Sequence, residues 1–168
     1  MIKPKLPPLA KYIAIGLAVA LLIGGIGFWL NTGSQVRLDG KILKVRTIPA
    51  DDAASIAVVD FRVINPSCAL FQLKKLTVVV TTAEGKVVEG LPVAQTDLDR
   101  VLDYHKVYGK RYTDMLKERD RIRPKTEVDR TTAGSLSISE KDLQNRRNLV
   151  LKLQDADGVT IEIPETNR

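Results

Sequence analysis

The uncharged apolar run over residues 12–30 constrains this 168-residue chain more than any other feature. At 1.5 Å rise per residue such a run is roughly 28 Å long as a helix, close to the ~30 Å hydrocarbon thickness of a bilayer. Tyr12 stands at one end and Phe28 and Trp29 at the other, the depths that amphipathic rings prefer. Lys3, Lys5 and Lys11 precede the run, and Pro4, Pro7 and Pro8 keep the leader from continuing a helix. A cleavable signal sequence has an apolar middle of only ~7–15 residues and a small-x-small exit. This run is longer and leaves through Phe28-Trp29-Leu30-Asn31, so the expectation is a retained transmembrane anchor. The basic side then places the N-terminus in the cytoplasm and the remaining domain outside, in a periplasmic setting on an inner membrane. Gly16, Ala20 and Gly24 recur every fourth residue, with Gly27 nearby, a spacing that lets a second helix approach closely, including one from another copy of the chain.

The expected organisation is a basic cytoplasmic leader over 1–11, the transmembrane helix over 12–30, a linker over 31–35 and one domain over 36–165. The net charge of +6 suggests nucleic acid at first sight. Half of it, however, resides in the three leader lysines, which the anionic inner leaflet explains. Elsewhere acidic and basic residues alternate without a concentrated basic face, so no nucleic-acid partner is expected. The single cysteine, Cys68, leaves no internal disulfide and no multi-cysteine zinc site.

Beyond residue 33 the periodicity is mostly that of strands. Residues 36–48 form the first, with a change of face near Gly40-Lys41 that suggests a bulge. In the stretch 55–65, Ala57, Val59, Phe61 and Val63 share an inward face while Asp60 and Arg62 point out, and Pro66 ends it. The stretch 71–83 follows, with Leu76, Val78 and Val80 inward and Lys75, Thr77 and Thr81 outward. Glu84-Gly85 is a tight turn into 86–93. The period then becomes helical: Thr96 is placed to cap a helix bearing Leu98, Val101, Leu102 and His105, and Gly109 to end it. A second short helix would carry Tyr112, Met115 and Leu116, making 97–120 a helical insertion. Strands resume over 126–138. Ser139 and Asp142 read as a capping box, and 148–154 and 159–163 form a closing hairpin with Leu149, Leu151, Leu153, Val159, Ile161 and Ile163 inward. The expected fold is mainly β: an immunoglobulin-like antiparallel sandwich of about seven strands with a helical insertion, preceded by one transmembrane helix. A barrel is the alternative.

The strand 56–64 ending in Asn65-Pro66, followed by 71–80, resembles the late embryogenesis abundant type 2 proteins, also called WHy domains, and 136–163 fits their closing strands. Ser67 stands where that family often has a second asparagine. The resemblance implies a small sandwich with a protective or structural role, no catalytic centre and membrane-tethered relatives.

Candidate chemistry is sparse. His105 with Asp103 or Tyr104 could form an acid–base site, yet it sits at the edge of a helix's apolar face. Cys68 and His105 are one of each nucleophile and base, without an orienting third group. Asp155, Asp157 and Gly158 begin like a calcium loop, but the later ligand positions fall on Ile163 and Thr166, so a hairpin turn accounts for them. No enzyme activity, cofactor or metal is expected. The partner surface is expected where tyrosine and basic residues coincide: Tyr104, Tyr108 and Tyr112, then Arg119, Arg121, Arg123 and Lys125. The function these readings support is a binding or structural accessory of a membrane or envelope complex, with a stress-protective role as a sub-case. The alternative is a carrier of an apolar or lipid ligand inside the sandwich.

Overall fold

The computed structural model describes residues 8–32 and 37–166. They fall into two compact units divided after Gln35. The first is a single helix, α1 (Pro8–Thr32), 25 residues and thus about 37 Å long. Its described apolar side chains stand outward, with Leu17 62%, Leu21 68% and Ile23 66% exposed. Among the described side chains no helical stretch is long and apolar enough to cross a membrane. Residues 1–7 of the expected leader (1–11) and 33–35 of the expected linker (31–35) lie outside the described residues; α1 takes in residues 8–11 of the leader, despite Pro8, and 31–32 of the linker.

The second unit is built from nine strands: β1 (Asp39–Asp51), β2 (Ala54–Asn65), β3 (Phe71–Thr81), β4 (Val87–Glu89), β5 (Leu91–Pro92), β6 (Arg121–Ile122), β7 (Thr126–Leu136), β8 (Asn148–Asp155) and β9 (Thr160–Pro164). One sheet has the order β1-β2-β7-β5; the other has β4-β3-β8-β9, with β6 added beside β3. Every strand pair in them is antiparallel. The fold is therefore a mainly β, two-sheet sandwich, as the alternation of residues requires. Ala57, Val59, Phe61 and Val63 of β2 are fully buried against Phe71, Val80, Leu149, Leu151 and Leu153 of the facing sheet.

Gly90 moves the chain from one sheet to the other. β4 pairs with β3, and two residues later β5 pairs with β7. A Cβ on Gly90 would lie 3.3 Å from the Val78 carbonyl oxygen, and one on Gly134 would lie 3.0 Å from the Val78 side chain. The crossing is thus tight at Gly90, between β4 and β5, and at Gly134 of β7, where a side chain would push on Val78.

The structure corrects several expectations. The register shifts of β1 fall between Ile42 and Lys44 and between Pro49 and Asp51, not at Gly40-Lys41 itself. Leu43 is the extra residue; it turns outward, and Val45 returns to the inter-sheet core. The helix α2 (Gln95–Tyr104) starts at Ala94 with no side-chain cap, so Thr96 lies inside it. A 3₁₀ turn, Lys106–Tyr108, follows. No second helix carries Tyr112, Met115 and Leu116. Met115 instead bridges Thr131 of β7 in parallel, with Thr131 N–H donating to Asp114 O and Leu116 N–H to Thr131 O, both at 3.1 Å. Val159 is 44% exposed at the mouth of the last hairpin. The Ser139 cap is present: its hydroxyl accepts the Asp142 N–H at 3.1 Å and opens α3 (Glu140–Gln144).

The main departure concerns β2. Its second face, expected in solvent, lies under the insertion. Leu98 and Leu102 of α2 pack with Met115 onto Ile48, Ile56, Val58 and Ala133, forming a second apolar cluster. β2 is consequently buried on both faces, Asp60 included despite its outward parity; on β3, Thr77 is also buried against expectation.

Candidate functional site

The segment 95–120 is the largest irregular feature of the sandwich unit, and its attachment follows from charge as well as apolar packing. Asp60 sits in the middle of a buried strand and requires a partner. Arg46 supplies it: Nη2 meets Asp60 Oδ2 at 3.0 Å, with both side chains under a tenth exposed. The Thr131 hydroxyl donates to Asp60 Oδ1 at 2.6 Å. Arg46 Nη1 then donates to the carbonyls of Tyr108 (3.2 Å) and Lys110 (3.0 Å). One guanidinium thus joins the buried carboxylate to the backbone of the insertion, and its Nε is buried without a hydrogen-bond partner. Sequence reasoning missed this network. The available signal was an aspartate interrupting a run of Val and Phe.

Arg46 also lines a pocket of about 310 Å³ with Leu43, Lys44, Tyr108, Gly109, Lys110 and Tyr112. Burial raises the Tyr108 phenol above its ordinary range. On β2, Arg62 makes a two-pronged hydrogen bond to Asp129 at 2.7 and 2.9 Å and an ion pair with Glu127 at 2.8 Å. The hydrogen bond from Arg62 holds the Asp129 carboxyl below the usual carboxylate range.

The expected contact residues divide into two groups. Tyr104 (83% exposed) and Tyr112 (74%) stand out from the insertion, and Val107 at 95% stands between them. Periodicity gave no reason to select Val107, because a 3₁₀ turn presents it. Tyr108 is only half-exposed; it packs against the second cluster, and its ring meets His105 edge-on at 6.0 Å. Its role is attachment more than contact. The basic row lies elsewhere. Arg121 belongs to β6 beside β3, and Arg119 N–H donates to Leu73 O at 2.7 Å. Arg119 and Lys125 both adopt left-handed backbone conformations, φ 71° and 56°. Lys125 Nζ donates to the Pro66 carbonyl, while Arg123 is exposed in the loop before it. The tyrosines therefore lie in the insertion beside β1, whereas Arg121 lies in β6 beside β3 and Arg123 and Lys125 in the loop that enters β7.

His105 ends α2, between the rings of Tyr104 and Tyr108. Cys68 is exposed in the turn after β2. Asn65 staples that turn: its Oδ1 accepts from the Ser67 N–H at 3.1 Å, and its Nδ2 donates to Ala69 O (2.9 Å) and Ile122 O (3.2 Å). Asp155 is buried, and its Oδ1 accepts the Gln72 N–H at 2.9 Å, a structural use of the residue at the head of the acidic turn. Among the described residues no group of three His, Cys, Asp or Glu side chains is placed to hold a metal ion. On α1, a Cβ added at Gly16, Gly24 or Gly27 would meet nothing within 4 Å, and Ala20 is exposed beside them.

No family model matches the chain, and no curated protein matches it. Among solved structures it is similar to a structural-genomics target determined by X-ray, at 14% identity and a TM-score of 0.35 over 82% of this chain and 85% of that one. It is also similar to a putative ApaA protein from Bordetella pertussis (13%, TM-score 0.37, 79% and 91%). A third similar structure is an uncharacterized beta-sandwich protein from Clostridium difficile 630 (8%, TM-score 0.39, 79% and 91%).

Proposed function

We propose that this chain is a non-catalytic binding module, a single-pass membrane protein whose sandwich engages another membrane or envelope protein outside the cytoplasm. The observation that carries the reading is α1. It is a 25-residue helix whose large aliphatic side chains stand in the open, and no charge interrupts it over residues 12–30. Hydrocarbon is the solvent in which such a surface is stable. The lysines before it favour a cytoplasmic N-terminus. The strand order β1-β2-β7-β5 opposite β3-β8-β9 supports an immunoglobulin-like arrangement, since it has the A-B-E-D and C-F-G pattern of that sandwich, with β4 added at one edge.

The contact surface in this reading is the insertion's tip: Tyr104, Val107 and Tyr112. Exposed aromatics on a segment fixed by a buried ion pair lose little entropy on binding, which favours them as anchors. Arg119, Arg121, Arg123 and Lys125 form a separate basic rim suited to an acidic partner. Gly16, Ala20, Gly24 and Gly27 offer a face for a second helix, a homo-oligomeric contact included. A stress-protective role, as the resemblance implies, is a special case of this reading. The carrier alternative finds less support: Phe61, Phe71, Leu149, Leu151 and Leu153 fill the space between the sheets, and the larger cavities open at the surface.

Alkaline carbonate washing of membranes from expressing cells tests the anchor. The full chain should remain in the pellet, and a chain lacking residues 8–32 should not. Crosslinking of intact membranes tests the surface. Tyr104→Ala with Val107→Asp should remove a specific crosslinked partner while leaving the fold unchanged. A full chain extracted by carbonate refutes the reading.

A further inference from the structure

One edge of β3 carries an interrupted ladder. β4 covers it at Val79, Val80 and Thr81, and β6 covers it at Phe71 and Gln72. Leu73 is covered by the turn before β6: its N–H donates to Asp120 O at 2.9 Å, and its carbonyl accepts from Arg119 N–H. Among the described residues no strand pairs with 74–78 on that edge, although β8 runs along the other. The gap exists because the chain leaves β3 at Gly90 to join the opposite sheet. With Val78 taken by Gly90, the open stretch is 74–77, about 10 Å or three extended residues, and it begins at a register shift between Leu73 and Lys75. The Val78 carbonyl accepts the Gly90 N–H at 2.7 Å on this side. Strand alternation therefore directs the N–H and C=O of Leu76 into the gap as well.

Beside the gap lies a cavity of about 550 Å³, walled by Leu73, Leu76, Pro92, Val93, Met115 and Leu116. Its rim bears Lys74, Lys75 and Lys117 against a single Glu118. Lysines on an open edge discourage pairing between identical copies. The same lysines attract a strand with acidic ends. We propose that this gap seats an extended acidic–apolar segment of a partner protein, added to β3 as a short antiparallel strand. Leu76 would supply the ladder hydrogen bonds, alternate guest side chains would enter the apolar cavity, and terminal carboxylates would meet the lysines. The inference rests on the binding-module reading and names the chemistry of one partner.

The test uses the full-length chain in non-ionic detergent and a fluorescein-labelled peptide of alternating valine and threonine with two aspartates at each end. Fluorescence anisotropy should show saturable binding. Methylating the central peptide nitrogens, or reversing charge with Lys74→Glu and Lys117→Glu, should each weaken it about tenfold, the effect of losing one or two ladder bonds or the charge complement. Leu76 amide exchange should slow when the peptide is added. No binding at millimolar peptide, or affinity indifferent to both changes, overturns the proposal. Such a failure leaves membrane retention in carbonate intact, so it is distinguishable from failure of the anchor reading.

Discussion

Removing Asp60 is the sharpest perturbation this fold offers. Its carboxylate is 4% exposed and accepts from Arg46 and Thr131. In Asp60→Ala the Arg46 guanidinium keeps two carbonyl acceptors, those of Tyr108 and Lys110, but no counter-charge. Stranding a buried charge in this way costs about 3–5 kcal/mol. With a urea dependence of about 2 kcal/mol per molar for a domain of this size, the unfolding midpoint should fall by about 1.5–2.5 M. Arg46→Ala should cost a similar amount, because it leaves Asp60 with only the Thr131 hydroxyl. The double variant removes both charges and should be at least about 2 kcal/mol more stable than the sum of the two single losses. Tryptophan is confined to position 29, so far-ultraviolet circular dichroism is the appropriate probe, on the full chain in detergent. Hydrogen exchange adds a local readout: amides of α2 and residues 106–110 should exchange faster in Arg46→Ala, since the insertion loses its tether. Single losses below about 1 kcal/mol, or additivity within about 0.5 kcal/mol, would refute the argument that this pair holds the insertion onto the sheet.

Two further outcomes follow from the same packing. Leu98→Ala removes a fully buried side chain from the second cluster and should cost about 2–5 kcal/mol, seen as a lower thermal midpoint; an unchanged midpoint would mean that α2 is not packed as described. The Asp129 carboxyl is held low by Arg62, so its folded form binds its proton less readily than its unfolded form. Its stabilising contribution is present above the ordinary carboxylate range and fades as pH falls through the lowered folded value. The stability gap between the native chain and Asp129→Asn should therefore be open at pH 7 and close progressively below about pH 4; a gap that widens in acid would contradict the assignment.

Much of the sandwich was legible because one face of each long strand is buried in the same inter-sheet core. Phe61, Val80, Leu151 and Ile163 obey a period of two with no knowledge of partners. The Ser139 cap was legible for a similar reason, since both of its partners lie within one turn. The second face of β2 was not legible. Asp60 has the parity of a solvent residue, and only the fold brings Arg46, Thr131 and α2 over it. The division of the tyrosines from the basic row was hidden likewise: Arg46 of β1 holds the backbone at Tyr108, while Arg121, a few residues on, joins the ladder beside β3.

The sequence by itself determined an uncharged apolar run over residues 12–30, a strand-rich domain after it, and the faces that meet between the sheets. These are local patterns, in which each residue's period and charge carry the information. Tertiary structure alone decided the buried Arg46–Asp60 pair, the helical layer over β2, and the gap left on β3 where Gly90 leads the chain away. Each depends on which distant segments come to lie side by side, and loop paths between sheets leave no periodic trace in the residues that form them.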